Sequence, residues 1–116
     1  MSEQPDGIQV STSSVAGAEV VHVVGEIDLR TSPQLRTRLL QVVEREPKRL
    51  VVDLSRVGYM DSSGVGTMVE VKRMVERRGG AVVLAGLQPR VRGVFEITQL
   101  DKFFIIAGSV DEATGK

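Results

Sequence analysis

The sequence predicts a single α/β domain whose mixed sheet opens with an antiparallel hairpin and continues through strands joined by helical crossovers. Three observations carry this. Two strand-like runs, Ile8 to Ser14 and Glu19 to Val24, are separated by Ala16-Gly17-Ala18, which supplies a hairpin turn. From Ser32 onward, segments with a 3.6-residue apolar period alternate with short apolar runs, as helices do when they connect parallel strands. With 116 residues, 41% of them hydrophobic, the chain holds enough apolar material for one core.

In chain order, Ile8 and Val10 followed by polar Ser11 to Ser14 alternate weakly, whereas Glu19-Val20-Val21-His22-Val23-Val24 is a stronger strand that should pair with them. Ser32 with Pro33 marks a helix start. Leu35, Leu39, Val42 and Val43 then recur at i, i+4, i+7 and i+8, down to a stop at Pro47. Leu50 to Leu54 reads as a buried strand, followed by a short loop and a helix from Ser63 to Arg78 that closes on Gly79-Gly80. On that helix Val65, Met68, Val69 and Val75 are expected to form the buried stripe, and Met74 to point outward. Ala81 to Ala85 is continuously apolar, which implies burial on both faces. A third helix starts near Gln88-Pro89 with Val91, Val94, Phe95 and Thr98 on one side, and Phe103-Phe104-Ile105-Ile106 is the last strand. Helices should cover mainly one face of the sheet, with partial cover on the other. Residues 1–6 are expected to be a flexible N-terminus and 7–116 the folded domain.

Composition excludes several classes. Lys plus Arg and Asp plus Glu number 15 each, so no overall field draws the chain to nucleic acid or to an anionic membrane. The basic pairs Lys72-Arg73 and Arg77-Arg78, and Arg90 with Arg92, read as solvated helix faces. Without cysteine there is no disulfide framework or thiolate metal site, which suits a reducing cytoplasm. No apolar run approaches the ~18 residues of a membrane span, and the polar start Met1 to Gly7 is not a signal peptide. The expectation is a cytoplasmic protein without cofactor or metal.

Asp61-Ser62-Ser63-Gly64-Val65-Gly66 is the most informative stretch, because it follows a strand and opens a helix. Two hydroxyls sit where unpaired backbone N–H groups and the helix dipole favour negative charge, so a phosphate would be held well there. An ordinary N-cap by Asp61 or Ser62 accounts for the same six residues. Enzymatic readings fail on particular grounds. Met60 stands where a G-x-S-x-G elbow needs glycine, and the lone histidine, His22, lies on a strand where its alternation with Val21 and Val23 points it to solvent. Gly58 to Gly64 lacks the spacing and lysine of a Walker motif, and Gly64-Val65-Gly66 lacks the third glycine of a dinucleotide fingerprint. Asp53 ends a strand as a receiver domain's phosphoaspartate does. A receiver, however, opens with a parallel β-α unit and an acidic pair, whereas here the start is a hairpin and Asp6 stands alone.

Four stretches in order complete the pattern: Gly25-Glu26-Ile27-Asp28; Val51-Val52-Asp53-Leu54 leading through Tyr59-Met60 into the serine motif; Arg77-Arg78-Gly79-Gly80; and Leu87-Gln88-Pro89 with Val94-Phe95 behind it. From Ile8 to Ile106 the chain resembles the STAS family, and within it the anti-sigma factor antagonists of bacterial partner switching. The resemblance implies a regulator that is not an enzyme. Its unphosphorylated form would bind an anti-sigma factor serine kinase and free the sigma factor; phosphorylation of the serine after the motif aspartate, Ser62 rather than Ser63, would abolish binding, and a serine phosphatase would restore it. A partner surface built from Asp28, Asp61, Ser62, Ser63 and Gly64, extended by Met74, is the matching expectation. The alternatives are a STAS scaffold or accessory subunit of a stress-signalling or transporter complex without a serine switch, and a small-ligand-binding module. The family's closing helix runs two or three turns, for which Ser109 to Lys116 leaves room for barely one.

Overall fold

A computed structural model describes residues 7–115, so the expected N-terminal segment 1–6 lies outside the described residues. Strand β1 (Gln9–Val15) turns at Ala16 and Gly17, both at positive φ, into β2 (Ala18–Ile27), and the two pair antiparallel. Helix α1 (Ser32–Val43) leads to β3 (Arg49–Met60), α2 (Ser62–Arg77) to β4 (Ala81–Ala85), and α3 (Pro89–Ile97) to β5 (Ile105–Ala107), after which α4 (Val110–Thr114) follows. The sheet order is β1-β2-β3-β4-β5, with every pair after the hairpin parallel. This is the predicted mixed sheet.

Because successive strand residues face opposite sides, the central strands feed two cores. On one face Val21, Val23, Leu50, Val52 and Leu84 pack against Leu35 and Leu39 of α1, Met68 and Val71 of α2, and Val91 and Phe95 of α3. On the other, Val20, Val51, Val83 and Ala85 lie beneath Ala113 of α4, which is the partial second cover. Arg49 fastens it by donating from Nη1 to the Ala113 carbonyl at 2.9 Å.

Several boundaries differ from expectation for identifiable reasons. Strand β3 does not stop at Leu54 but runs to Met60, because its last turn-like residues pair with the far end of β2, Ile27 opposite Met60. Beyond Asp53 it has no β4 neighbour, so polar Ser55 and Arg56 are accommodated on a strand bonded on one side only. Phe103 and Phe104 precede β5 rather than belong to it. Phe104 is buried edge-on against Phe95, ring centroids 5.4 Å apart, a packing demand that overrides strand pairing. Thr98 is exposed and ends α3 by capping toward the Val94 and Phe95 carbonyls.

The phase of α2 also needs correction. Val71, outside the expected stripe, is buried with Val65, Met68 and Val75, whereas Val69 is half-buried. Met74 does not point outward. It is half-buried and packs on the main core. Glu70 and Arg78, one turn to either side, both hold α1: Glu70 takes two hydrogen bonds from Arg36, and Arg78 donates to the Val43 carbonyl. Met74 therefore lies on the α1-facing flank. Met74→Asp is expected to lower the thermal midpoint by about 5–10 °C, from a loss of ~1–2 kcal/mol. A midpoint unchanged to within a degree in a melting experiment would restore the outward orientation.

Candidate functional site

Strands β2 and β3 are parallel and end side by side, so the segments that follow them emerge on one rim. There the amide of Asp61 donates to the Ile27 carbonyl at 3.1 Å, joining the start of α2 to the turn that carries Asp28. That turn is held from within. Asp28 Oδ1 accepts from the amides of Arg30 at 2.9 Å and Thr31 at 3.2 Å, while the Thr31 hydroxyl donates to the Glu26 carbonyl at 2.8 Å. Burial pushes the Asp28 carboxyl up, but the two amides, the Arg30 charge and the Thr31 hydroxyl together hold it below the usual carboxylate value. Asp28 thus organises its own turn.

Asp61 takes the extended conformation of an N-cap, φ −104° and ψ −171°. Its Oδ1 accepts from the Ser63 amide at 2.9 Å and from the Ser63 hydroxyl at 2.6 Å. The two serines are thereby made unequal. Ser63 is half-buried with its hydroxyl committed to the cap, whereas Ser62 is exposed and its hydroxyl has no hydrogen-bond partner among the described residues. Asp61 caps the helix, and the first serine is left with an exposed hydroxyl at its head.

Gly64 is buried, so it shapes the site from beneath and does not present the contact surface expected of it. A Cβ there would stand 2.6 Å from Met60 Cγ and 2.7 Å from Ile27 Cγ2, closer than side chains can approach. Only glycine lets the head of α2 settle on the strand ends. One rim residue escaped the sequence reading. Leu29, between Asp28 and Arg30, is 78% exposed. A single exposed leucine has no periodicity to betray it; it follows Asp28 on the turn that the Asp61 amide joins, through the Ile27 carbonyl, to the start of α2.

The lone histidine is bonded to Asp53 and Ser13 on another part of the sheet, so no imidazole activates Ser62. The positive end of the sixteen-residue α2 faces whatever group is placed on it. Among the described residues no group of three or more His, Asp or Glu is arranged to hold a metal, and no helix is long and apolar enough to cross a membrane.

The STAS domain family matches this chain over residues 9–113. The chain belongs to that family. The anti-sigma-B factor antagonist of Bacillus subtilis (strain 168) is 39% identical over 80 residues, covering 69% of this chain and 72% of its own. The crystal structure of an anti-sigma factor antagonist from Mycobacterium paratuberculosis superposes with a TM-score of 0.88 at 31% identity, over 97% of this chain and 95% of that one. The anti-sigma factor antagonist SpoIIAA, solved in its unphosphorylated form, gives a TM-score of 0.74 at 25% identity, over 94% and 97% of the two chains. STAS membership thus covers both the sheet and the serine-bearing rim.

Proposed function

We propose that the protein is an anti-sigma factor antagonist: unmodified, it binds an anti-sigma factor that is also a serine kinase and so frees a sigma factor, and phosphorylation of Ser62 abolishes that binding. The observation that carries the reading is the free Ser62 hydroxyl at the head of α2 on a chain whose relatives are named anti-sigma factor antagonists. Asp28, Asp61, Ser62 and the exposed Leu29 form the partner surface. The chain acts in the cytoplasm as ligand and phosphate acceptor, without direct contact to nucleic acid or membrane.

Local electrostatics supply the switch. A phosphate adds about −1.5 to −2 charge at pH 7, next to the carboxylate of Asp61. Buried in an interface without a matching cation, that charge costs several kcal/mol. At the free helix N-terminus it gains ~0.3–1 kcal/mol from the dipole instead. The modified chain therefore leaves its partner while remaining folded, until a serine phosphatase removes the phosphate.

Incubation with ATP and the anti-sigma factor kinase tests the assignment by intact mass and fragment spectra. One phosphate on the unmodified chain and on Ser63→Ala, with none on Ser62→Ala, is the expected outcome. Phosphate on Ser63 would move the switch, and a bound chain that takes none would favour a scaffold without a serine switch.

A further inference from the structure

Helix α2 turns one whole face away from the sheet. At i+4, i+7, i+11 and i+15 from Ser62 stand Gly66, Val69, Arg73 and Arg77, and the helical period sets all five opposite buried Gly64, Met68, Val71 and Val75. Ser62, Gly66, Arg73 and Arg77 are exposed, and Val69 is half-buried. The face is about 22 Å long at ~1.5 Å per residue.

Folding leaves two of its features unexplained. Gly66 lies inside the helix without a positive φ, and a Cβ built there would meet no atom within 4 Å. Glycine in such a position destabilises a helix relative to alanine, and no neighbour in this chain requires it, in contrast to Gly64. Bare backbone of this kind lets another molecule approach closely. The second feature is charge. Glu70 and Glu76 flank the face, but each is engaged by a cation, Glu70 by Arg36 and Glu76 by Lys72. Arg73 and Arg77, one turn apart, make no ion pair and no side-chain hydrogen bond among the described residues, whereas neighbouring Lys72 and Arg78 do. With Glu76 they line a hollow of about 430 Å³.

We propose that this face of α2 docks an acidic segment of the anti-sigma factor, whose carboxylates pair with Arg73 and Arg77 and whose main chain lies against Gly66. The inference rests on the partner-switching reading for the identity of the partner and carries the contact from Ser62 down the length of the helix. Guanidinium groups pair with carboxylates through two parallel hydrogen bonds, so two unengaged arginines select an acidic partner. Their charge is felt over roughly 8 Å at physiological ionic strength, which speeds encounter before contact is made. The two ends of the face then divide the work: the arginines attract the segment, and Ser62 decides whether it stays.

The test measures binding kinetics of the full chain to the anti-sigma factor kinase that phosphorylates Ser62, alongside thermal melting. Gly66→Ala is expected to raise the melting temperature by about 2–5 °C and yet to weaken binding at least ~10-fold, opposite signs that a purely structural role does not produce. Arg73→Glu with Arg77→Glu should slow association ~10–100-fold at low salt, with the deficit shrinking as salt is raised and the melting temperature held within a degree or two. If the unmodified chain binds and Ser62→Asp releases it, but either variant binds as the unmodified chain does, the docking inference is overturned and the partner-switching reading stands. A lowered melting temperature in Gly66→Ala makes that glycine a packing residue and also overturns the inference. If the unmodified chain itself fails to bind, the partner-switching reading falls and takes the docking surface with it.

Discussion

Ser62→Asp is expected to weaken binding to the anti-sigma factor at least ~100-fold, about 3 kcal/mol, while the melting temperature stays within a degree or two. Ser62 is exposed, and its hydroxyl makes no hydrogen bond that the substitution would break among the described residues. A carboxylate at this position meets the N-terminal dipole of α2 favourably in the free protein, so folding tolerates it. In the complex the same charge is desolvated next to Asp61, and only the complex is penalised. Ser62→Ala should bind within about threefold of the unmodified chain, because it removes a hydroxyl without adding charge. A carboxylate carries less charge than a phosphate, so full phosphorylation should release the partner more completely still. Titration calorimetry on the two variants decides the matter. Equal affinity for Ser62→Asp and the unmodified chain would show that release is not electrostatic. Leu29→Ala separates the contributions: it removes an apolar anchor without touching the charge, so it should lower affinity equally in the presence and absence of high salt.

What the sequence revealed and what it hid divide along physical lines. Local signals were dependable: the hairpin turn, the stripe of α1, the glycine pair after α2 and the strand before the serine motif all depend on periodicity or on backbone conformations only some residues adopt. The preference for Ser62 came from family position, and the structure supplies a separate reason in the bond from Ser63 to Asp61. Features set by tertiary partners were not legible. The extension of β3 to Met60 depends on β2 running alongside, and Met74 turns inward because α1 lies against that flank of α2. Which neighbours Gly64 makes room for, Met60 and Ile27, was not readable, since a missing side chain does not name them. The link from Ser13 through His22 to Asp53 needs the register of three strands at once. Alternation correctly set His22 on the face opposite Val21 and Val23, but could not show that this face held a carboxylate.

The largest stability effect is expected at Phe95, where Phe95→Ala should cost ~3–5 kcal/mol. The ring is fully buried between α3 and the sheet, and its removal leaves a cavity that the rigid strand β3 cannot collapse into. It also ends a chain of aromatic contacts. Phe95 meets Phe104 edge-on at 5.4 Å, Phe104 meets Phe103 edge-on at 5.3 Å, and the Lys72 ammonium of α2 lies 4.3 Å from the Phe103 ring centre. Each edge-on pair contributes about 0.5–1.5 kcal/mol beyond burial, so truncation at the buried end also loosens the segment that leads into β5. Against a total of ~5–15 kcal/mol for a domain of this kind, such a loss lowers the melting temperature by more than ~10 °C. Phe103→Ala, at the half-exposed end, should cost only about 1 kcal/mol. Urea unfolding of both variants measures the difference, and a Phe95→Ala loss below ~1 kcal/mol would mean that α3 is not seated as described. The serine-bearing rim is built by β2, β3 and α2, with α3 on a different part of β3. The fraction of Phe95→Ala that remains folded should therefore still accept one phosphate on Ser62, so that loss of stability and loss of the switch separate in the same preparation.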